Sequence, residues 1–176
     1  MQRPKEIAIL LGMQQGYTKH GCPYCLWDSR DHRMHFVRKV WPERRWIVST
    51  ENVINIPLVK PEKVLPPPLH IKLGLMRNFV RALDKAGEPF KAIEEMFPKL
   101  SKGKVEAGVF DGPQIRKVFE SEHFEFLLTE VESAAWTAFK NVVVGFLGNN
   151  RVTNYKDLVD TLMLSLIHIS EPTRPY

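Results

Sequence analysis

The sequence predicts a mainly α-helical fold with a few short extended segments. Three observations predict it. Leu69, Leu73, Met76, Phe79, Val80 and Leu83 recur at three- and four-residue spacing, the period of one helix face. A broad apolar face runs from Phe124 through Leu127, Leu128, Val131, Ala134, Ala135, Phe139, Val142 and Val143 to Phe146. Helix punctuation stands where those patterns begin or stop, at Gly87, at Asp111-Gly112-Pro113 and at Gly148-Asn149-Asn150.

Taken in order, the first organised segment is Lys5 to Gln14, where Ile7, Leu10 and Leu11 line one helical face while Ile9 leaves a strand open. Trp46-Ile47-Val48-Ser49-Thr50 reads as a short strand or extended piece, and Ile54, Ile56, Leu58 and Val59 as an extended connector. Pro61 and Pro66-Pro67-Pro68 exclude ordinary helix or central sheet before residue 69 and make a rigid link. The helix from Leu69 ends near Gly87, and a short helix over Phe90 to Met96 packs against it. Lys104 to Phe110 is ambiguous. Asp111, an N-cap by residue type and position, starts a helix from Gln114 to about Glu120. Ser121 to Gly145 holds one or two longer helices, and Asn154-Tyr155-Lys156-Asp157-Leu158 opens a last one. The expected organisation is 1–60 as an N-terminal helix with a cysteine loop, 61–68 as a proline connector, 69–163 as a helical region and 164–176 as a separate tail.

That tail is set apart because Leu164-Ser165-Leu166-Ile167-His168-Ile169-Ser170-Glu171-Pro172-Thr173-Arg174, written back in codons, resembles the adapter used in transposase-based sequencing libraries. Residues from Leu164 are therefore expected to be non-native and outside the fold, with the natural reading frame continuing differently. About 163 residues remain, enough for one ordinary domain or part of a larger one.

Lys plus Arg number 25 and Asp plus Glu 20, a net charge of +5. Neither an apolar span of eighteen residues nor a basic-then-apolar leader is present, so no membrane partner is expected. Only two cysteines occur, too few for a disulfide framework, which favours a reducing, intracellular setting.

Both cysteines fall in Gly21-Cys22-Pro23-Tyr24-Cys25-Leu26-Trp27-Asp28-Ser29-Arg30-Asp31-His32-Arg33-Met34-His35. A Cys-x2-Cys turn aims two thiolates at one centre, and histidines seven to ten residues on can close a tetrahedron. Cys22, Cys25 and His35 are the expected ligands of a structural zinc, with His32 or His20 as the fourth. Two other readings stay open: a reduced surface Cys-x2-Cys beside solvated histidines, and a redox dithiol, since Cys-Pro-Tyr-Cys resembles the active-site tetrapeptide of glutaredoxins. Such a dithiol works at a helix N-terminus, and the polar stretch before Cys22 is turn-like. Basic residues crowd the same region. Lys19, Arg30, Arg33, Arg38 and Lys39, interleaved with His20, Trp41 and Trp46, suit phosphate contact with base stacking, or equally a solvated basic face.

No P-loop, HExxH or Gly-x-Ser-x-Gly motif is present, and no acidic pair singles out a two-metal site. Glu94 and Glu95 read as a solvated helix face.

Several blocks invite a family comparison: Gly16-Tyr17-Thr18-Lys19, Cys22 to Arg30, Leu69-His70-Ile71-Lys72-Leu73-Gly74-Leu75-Met76, Gly112-Pro113-Gln114-Ile115-Arg116, Ala135-Trp136 and Phe146-Leu147-Gly148-Asn149. As an ordered set they resemble transposon-associated proteins of arthropods and other invertebrates, whose layout is similar to cut-and-paste DDE transposases. The resemblance implies an incomplete fragment of an α/β ribonuclease-H-like core with a helical insertion. It also implies a zinc knuckle at Cys22, Cys25 and His35, DNA as partner together with the remainder of a parent protein, and a nuclear location. Two acidic positions of that pattern are replaced, by Arg3-Pro4 before the first segment and by Pro67 before His70, so the chain is expected to be catalytically inactive by itself. The alternatives are a helical structural or protein-interaction module without nucleic-acid binding, and a thiol-disulfide redox protein.

Overall fold

The computed structural model describes residues 5–16, 18–35, 38 and 40–170, leaving aside the side chains of His32 and Ser170. The chain divides into two compact units, Met1–Pro66 and Pro67–Tyr176.

The first unit carries one α-helix, α1 (Lys5–Leu10). Its end is set by Gly12, at φ +60. The Gly12 amide donates to the Ile9 carbonyl at 3.1 Å and the Met13 amide to the Ala8 carbonyl at 2.8 Å, the paired bonds of a Schellman stop. Ile7, Ala8, Leu11, Met13 and Val64 form a small apolar core, with Trp46 and Val59 packed on it. From Met13 to Lys60 the chain is otherwise irregular apart from the 3-10 turn His32–Met34, and it is held by polar contacts and three isolated bridges, Met13 with Val53, His20 with Asp28 and Cys25 with Glu43.

The second unit is helical: α2 (Pro68–Ala82), α3 (Glu88–Met96), α4 (Lys102–Glu106), α5 (Gly112–Phe119), α6 (Glu122–Leu127), α7 (Glu130–Gly145) and α8 (Tyr155–Ser170). Local chemistry sets most starts. Pro68 stands in the first turn of α2, where its missing N–H costs nothing. Asp111 and Gln114 form a reciprocal capping box on α5, with bonds of 2.8 and 2.9 Å, and Thr129 and Glu132 form another on α7. α6 and α7 are separate because Leu128 is extended, at ψ 139. Trp136, 1% exposed, sits at the centre of the core. The rings of Phe79, Phe119, Phe124 and Phe139 surround it at centroid distances of 4.9 to 5.8 Å. α8 lies along α7, and its Leu162, Leu166 and Ile169 are buried in the same core.

These features overturn several expectations. A ribonuclease-H-like core is built on a sheet, and no strand is present among the described residues, so the α/β class and the transposase-fragment identity fall together. Trp46 and Ile47 are irregular and Val48-Ser49 turn, with Ser49 at φ 67, where a strand was expected. His70 and Gly74, matched by resemblance to a later catalytic segment, lie in the first two turns of α2. The helix from Leu69 stops at Ala82 rather than near Gly87, because Leu83 turns extended at ψ 145. Residues 164–170, expected outside the fold, continue α8. Arg3-Pro4 and 171–176 lie outside the described residues.

Candidate functional site

The cysteine loop is held by one buried cation. Arg44, 6% exposed, donates from Nε to the Cys22 carbonyl at 3.0 Å, from Nη2 to the His20 carbonyl at 2.6 Å and from Nη1 to the Glu51 carbonyl. A planar guanidinium fork meets three diverging carbonyls in a way that an ammonium cannot. Asn52 ties the same loop, accepting from the His20 amide at 3.0 Å through its side chain and from the Gln14 amide at 2.9 Å through its carbonyl. Tyr24 Oη donates to the Val64 carbonyl at 2.7 Å.

Cys22 and Cys25 are both free thiols and partly exposed. The Tyr24 amide donates to Cys22 Sγ at 3.4 Å. Burial first, then the hydrogen bond and charge of Cys22, push the Cys25 thiol above its ordinary value, against the Trp27 amide and the Arg44 charge. His35, the expected third ligand, stacks on Trp27 at 4.5 Å and donates from Nε2 to the Asp28 carbonyl at 2.6 Å. A carbonyl only accepts, so that nitrogen carries a proton and offers no lone pair to a metal. His20 Nδ1 is buried without a hydrogen-bond partner. The His32 side chain lies outside the described residues. Among the described residues no group of three or more His, Cys, Asp or Glu side chains converges as a metal site would require. The zinc-knuckle transposase reading is corrected on that ground, and the DNA contacts that a zinc-fixed basic loop was to supply lose their scaffold.

The expected phosphate contacts are scattered in role. Lys19 pairs with Asp28 at 3.4 Å. The Arg30 amide first, and then Lys19, hold the Asp28 carboxyl below its ordinary value. Arg38 bonds to the Val40 carbonyl at 3.1 Å and lies over the Trp41 ring. The side chains of Arg30 and Arg33 are exposed, and Lys39 lies outside the described residues.

The second unit offers a different feature, which sequence reasoning missed. The starts of α2 and α5 meet, and between them opens a cleft of about 410 Å³ lined by Leu69, Lys72, Gly112, Pro113, Ile115, Arg116 and Phe119. Two of the sequence blocks singled out above, 69–76 and 112–116, are thereby brought together. Gly112 allows the approach, since a Cβ there would stand 3.3 Å from Leu69 Cδ1. The floor and walls are apolar, with Ile115 buried and Leu69 49% exposed. Lys72 and Arg116 are the two cations of the lining, and neither has a carboxylate partner among the described residues. No helix among the described residues is long and apolar enough to cross a membrane.

Residues 68–148 match the model of a family described as a domain of unknown function, DUF8704, and residues 4–59 match a second described in the same way, DUF8703. Neither match spans half of the chain. No curated protein and no solved structure matches it. The first match contains the whole α2–α5 cleft, and the second contains the cysteine loop with its Arg44 clamp.

Proposed function

We propose that the chain is a helical protein-interaction module whose working surface is the α2–α5 cleft. The occupant is a short segment of a partner protein that carries an apolar anchor flanked by Asp or Glu. The observation that supports this reading is the pairing of an apolar trough with Lys72 and Arg116, two cations left without internal carboxylates. An apolar side chain seated against Leu69, Pro113 and Phe119 contributes burial, and each carboxylate placed on a cation adds a charge-assisted hydrogen bond of roughly 1.5–3 kcal/mol. On this reading the chain binds and does not catalyse. The apolar lining favours a peptide over a nucleic acid, whose phosphates need a run of cations and whose backbone supplies no apolar anchor.

The test is a titration of the intact chain with synthetic peptides bearing a central Leu or Phe between acidic residues, beside isosteric Asn/Gln peptides. Binding to the acidic set, weakened about ten-fold or more by the double reversal Lys72→Glu, Arg116→Glu, is expected. Equal binding of the amide peptides, or binding indifferent to the reversal, overturns the reading, as does preference for a DNA duplex in the same titration.

A further inference from the structure

The cysteine loop carries a second activity, independent of the α2–α5 cleft. The two sulfurs are held together by backbone. Cys22 and Cys25 hydrogen-bond to one another through their thiols, and each sulfur also accepts an amide two residues on, from Tyr24 and Trp27. The backbone around them is pinned on both sides. The Leu26 amide donates to the Pro42 carbonyl at 2.8 Å, the Arg44 amide to the Tyr24 carbonyl at 3.2 Å, and Arg44 Nε to the Cys22 carbonyl at 3.0 Å. Both cysteines remain partly exposed, so a small reagent can reach them.

We infer that Cys22 and Cys25 form a reversible intramolecular disulfide by exchange with a small-molecule disulfide of the glutathione class. One thiol gives up its proton and attacks a sulfur of the reagent, and one reagent thiolate departs and takes up a proton. The neighbouring protein thiolate then attacks the mixed disulfide and displaces the second reagent thiol. Two electrons pass from the protein dithiol to the reagent, and two reagent thiols are released. Residues 21–31 contain no helix, so no helix dipole activates either sulfur, unlike the arrangement an exchange catalyst uses. The pair is therefore a redox-responsive staple of its own loop. It closes a ring across Pro23-Tyr24 and fixes the segment that Arg44 already clamps.

The experiment equilibrates the intact chain with graded ratios of reduced to oxidised glutathione, in buffer containing a chelator, followed by alkylation and intact mass. Wild type is expected to lose two hydrogens without retaining glutathione, and to recover both thiols with dithiothreitol. Cys22→Ser and Cys25→Ser are each expected to stop at a mixed disulfide. An unfolded Cys-x2-Cys peptide also oxidises, so the deciding comparison is with the chain in denaturing urea. Preorganisation predicts that the native chain forms the ring roughly ten-fold or more in excess of the denatured one. Equal or weaker ring formation in the native chain, persistent mixed disulfide in wild type, or intermolecular dimers would overturn the inference.

Discussion

The indole N–H of Trp136 donates to Oε1 of Glu125 at 3.1 Å, and the same carboxylate pairs with Lys140. The deepest aromatic ring of the second unit thus has its one polar atom satisfied by a side chain that is itself charge-paired. Burial alone would raise the Glu125 carboxyl, but the bonds from Lys140 and Trp136 and the Lys140 charge outweigh it, so its pKa lies below the ordinary 4.5.

A depressed carboxyl contributes stability that is present above its unfolded pKa and is lost as pH falls through the folded one. Glu125→Gln should therefore be less stable than wild type at neutral pH, with the gap closing as the solution is acidified to about pH 3. Thermal unfolding of both chains across that range measures it, and a constant gap would break the argument. Trp136→Ala, which removes the ring outright, should cost about 3–5 kcal/mol at any pH.

Gly12 combines φ +60 with a close approach, since a Cβ there would lie 2.2 Å from the Asn55 carbonyl oxygen. That carbonyl cannot swing aside like a flexible side-chain tip, and the Ile54 and Asn55 amides both donate to the Gly12 carbonyl. Gly12→Ala should cost more than the ~1 kcal/mol of a left-handed backbone alone. Faster amide hydrogen exchange at residues 11–14 and 53–58 would register it, and unchanged protection there would refute it.

Arg44 and Lys19 carry the same charge and should respond very differently to mutation. Arg44→Lys loses the fork that reaches three carbonyls from a buried position and should destabilise the first unit by several kcal/mol, given roughly 1.5–3 kcal/mol per charged hydrogen bond. Lys19→Ala breaks a half-exposed pair and should change stability by at most about 1 kcal/mol. Urea unfolding of the two variants side by side decides it, and similar losses would deny Arg44 its structural role.

Truncation after Met163 removes Leu166 and Ile169, 9% and 6% exposed, from the core. Each should contribute about 1.5–3 kcal/mol by burial, so the shortened chain should unfold at clearly lower denaturant. A truncated chain as stable as the intact one would place residues 164–170 outside the fold, as their codon resemblance suggested.

Elements governed by local rules were legible in the sequence. Asp111 caps α5 because its side chain and Gln114 satisfy each other within one turn, and the Leu69, Leu73, Met76 and Phe79 spacing marks the buried face of α2. The break between α6 and α7 was legible too, since Thr129-Glu130-Val131-Glu132 is a capping box in plain sequence, although the continuous apolar face hid it. What depends on long-range contact was not legible. Nothing in the order of residues says that Arg44 turns inward to carbonyls 22 and 24 positions earlier, or that Lys72 and Arg116 face one trough. The cysteine spacing suggested a metal, whereas His35 is committed to Asp28 by a backbone contact that no motif encodes.

The Arg44 latch also sets how the first unit responds to temperature. A unit held by a guanidinium and a handful of amides around a small apolar core exposes little oily surface when it opens. Its heat-capacity increment is correspondingly small, so its stability curve is shallow and it resists cold better than its modest core would suggest.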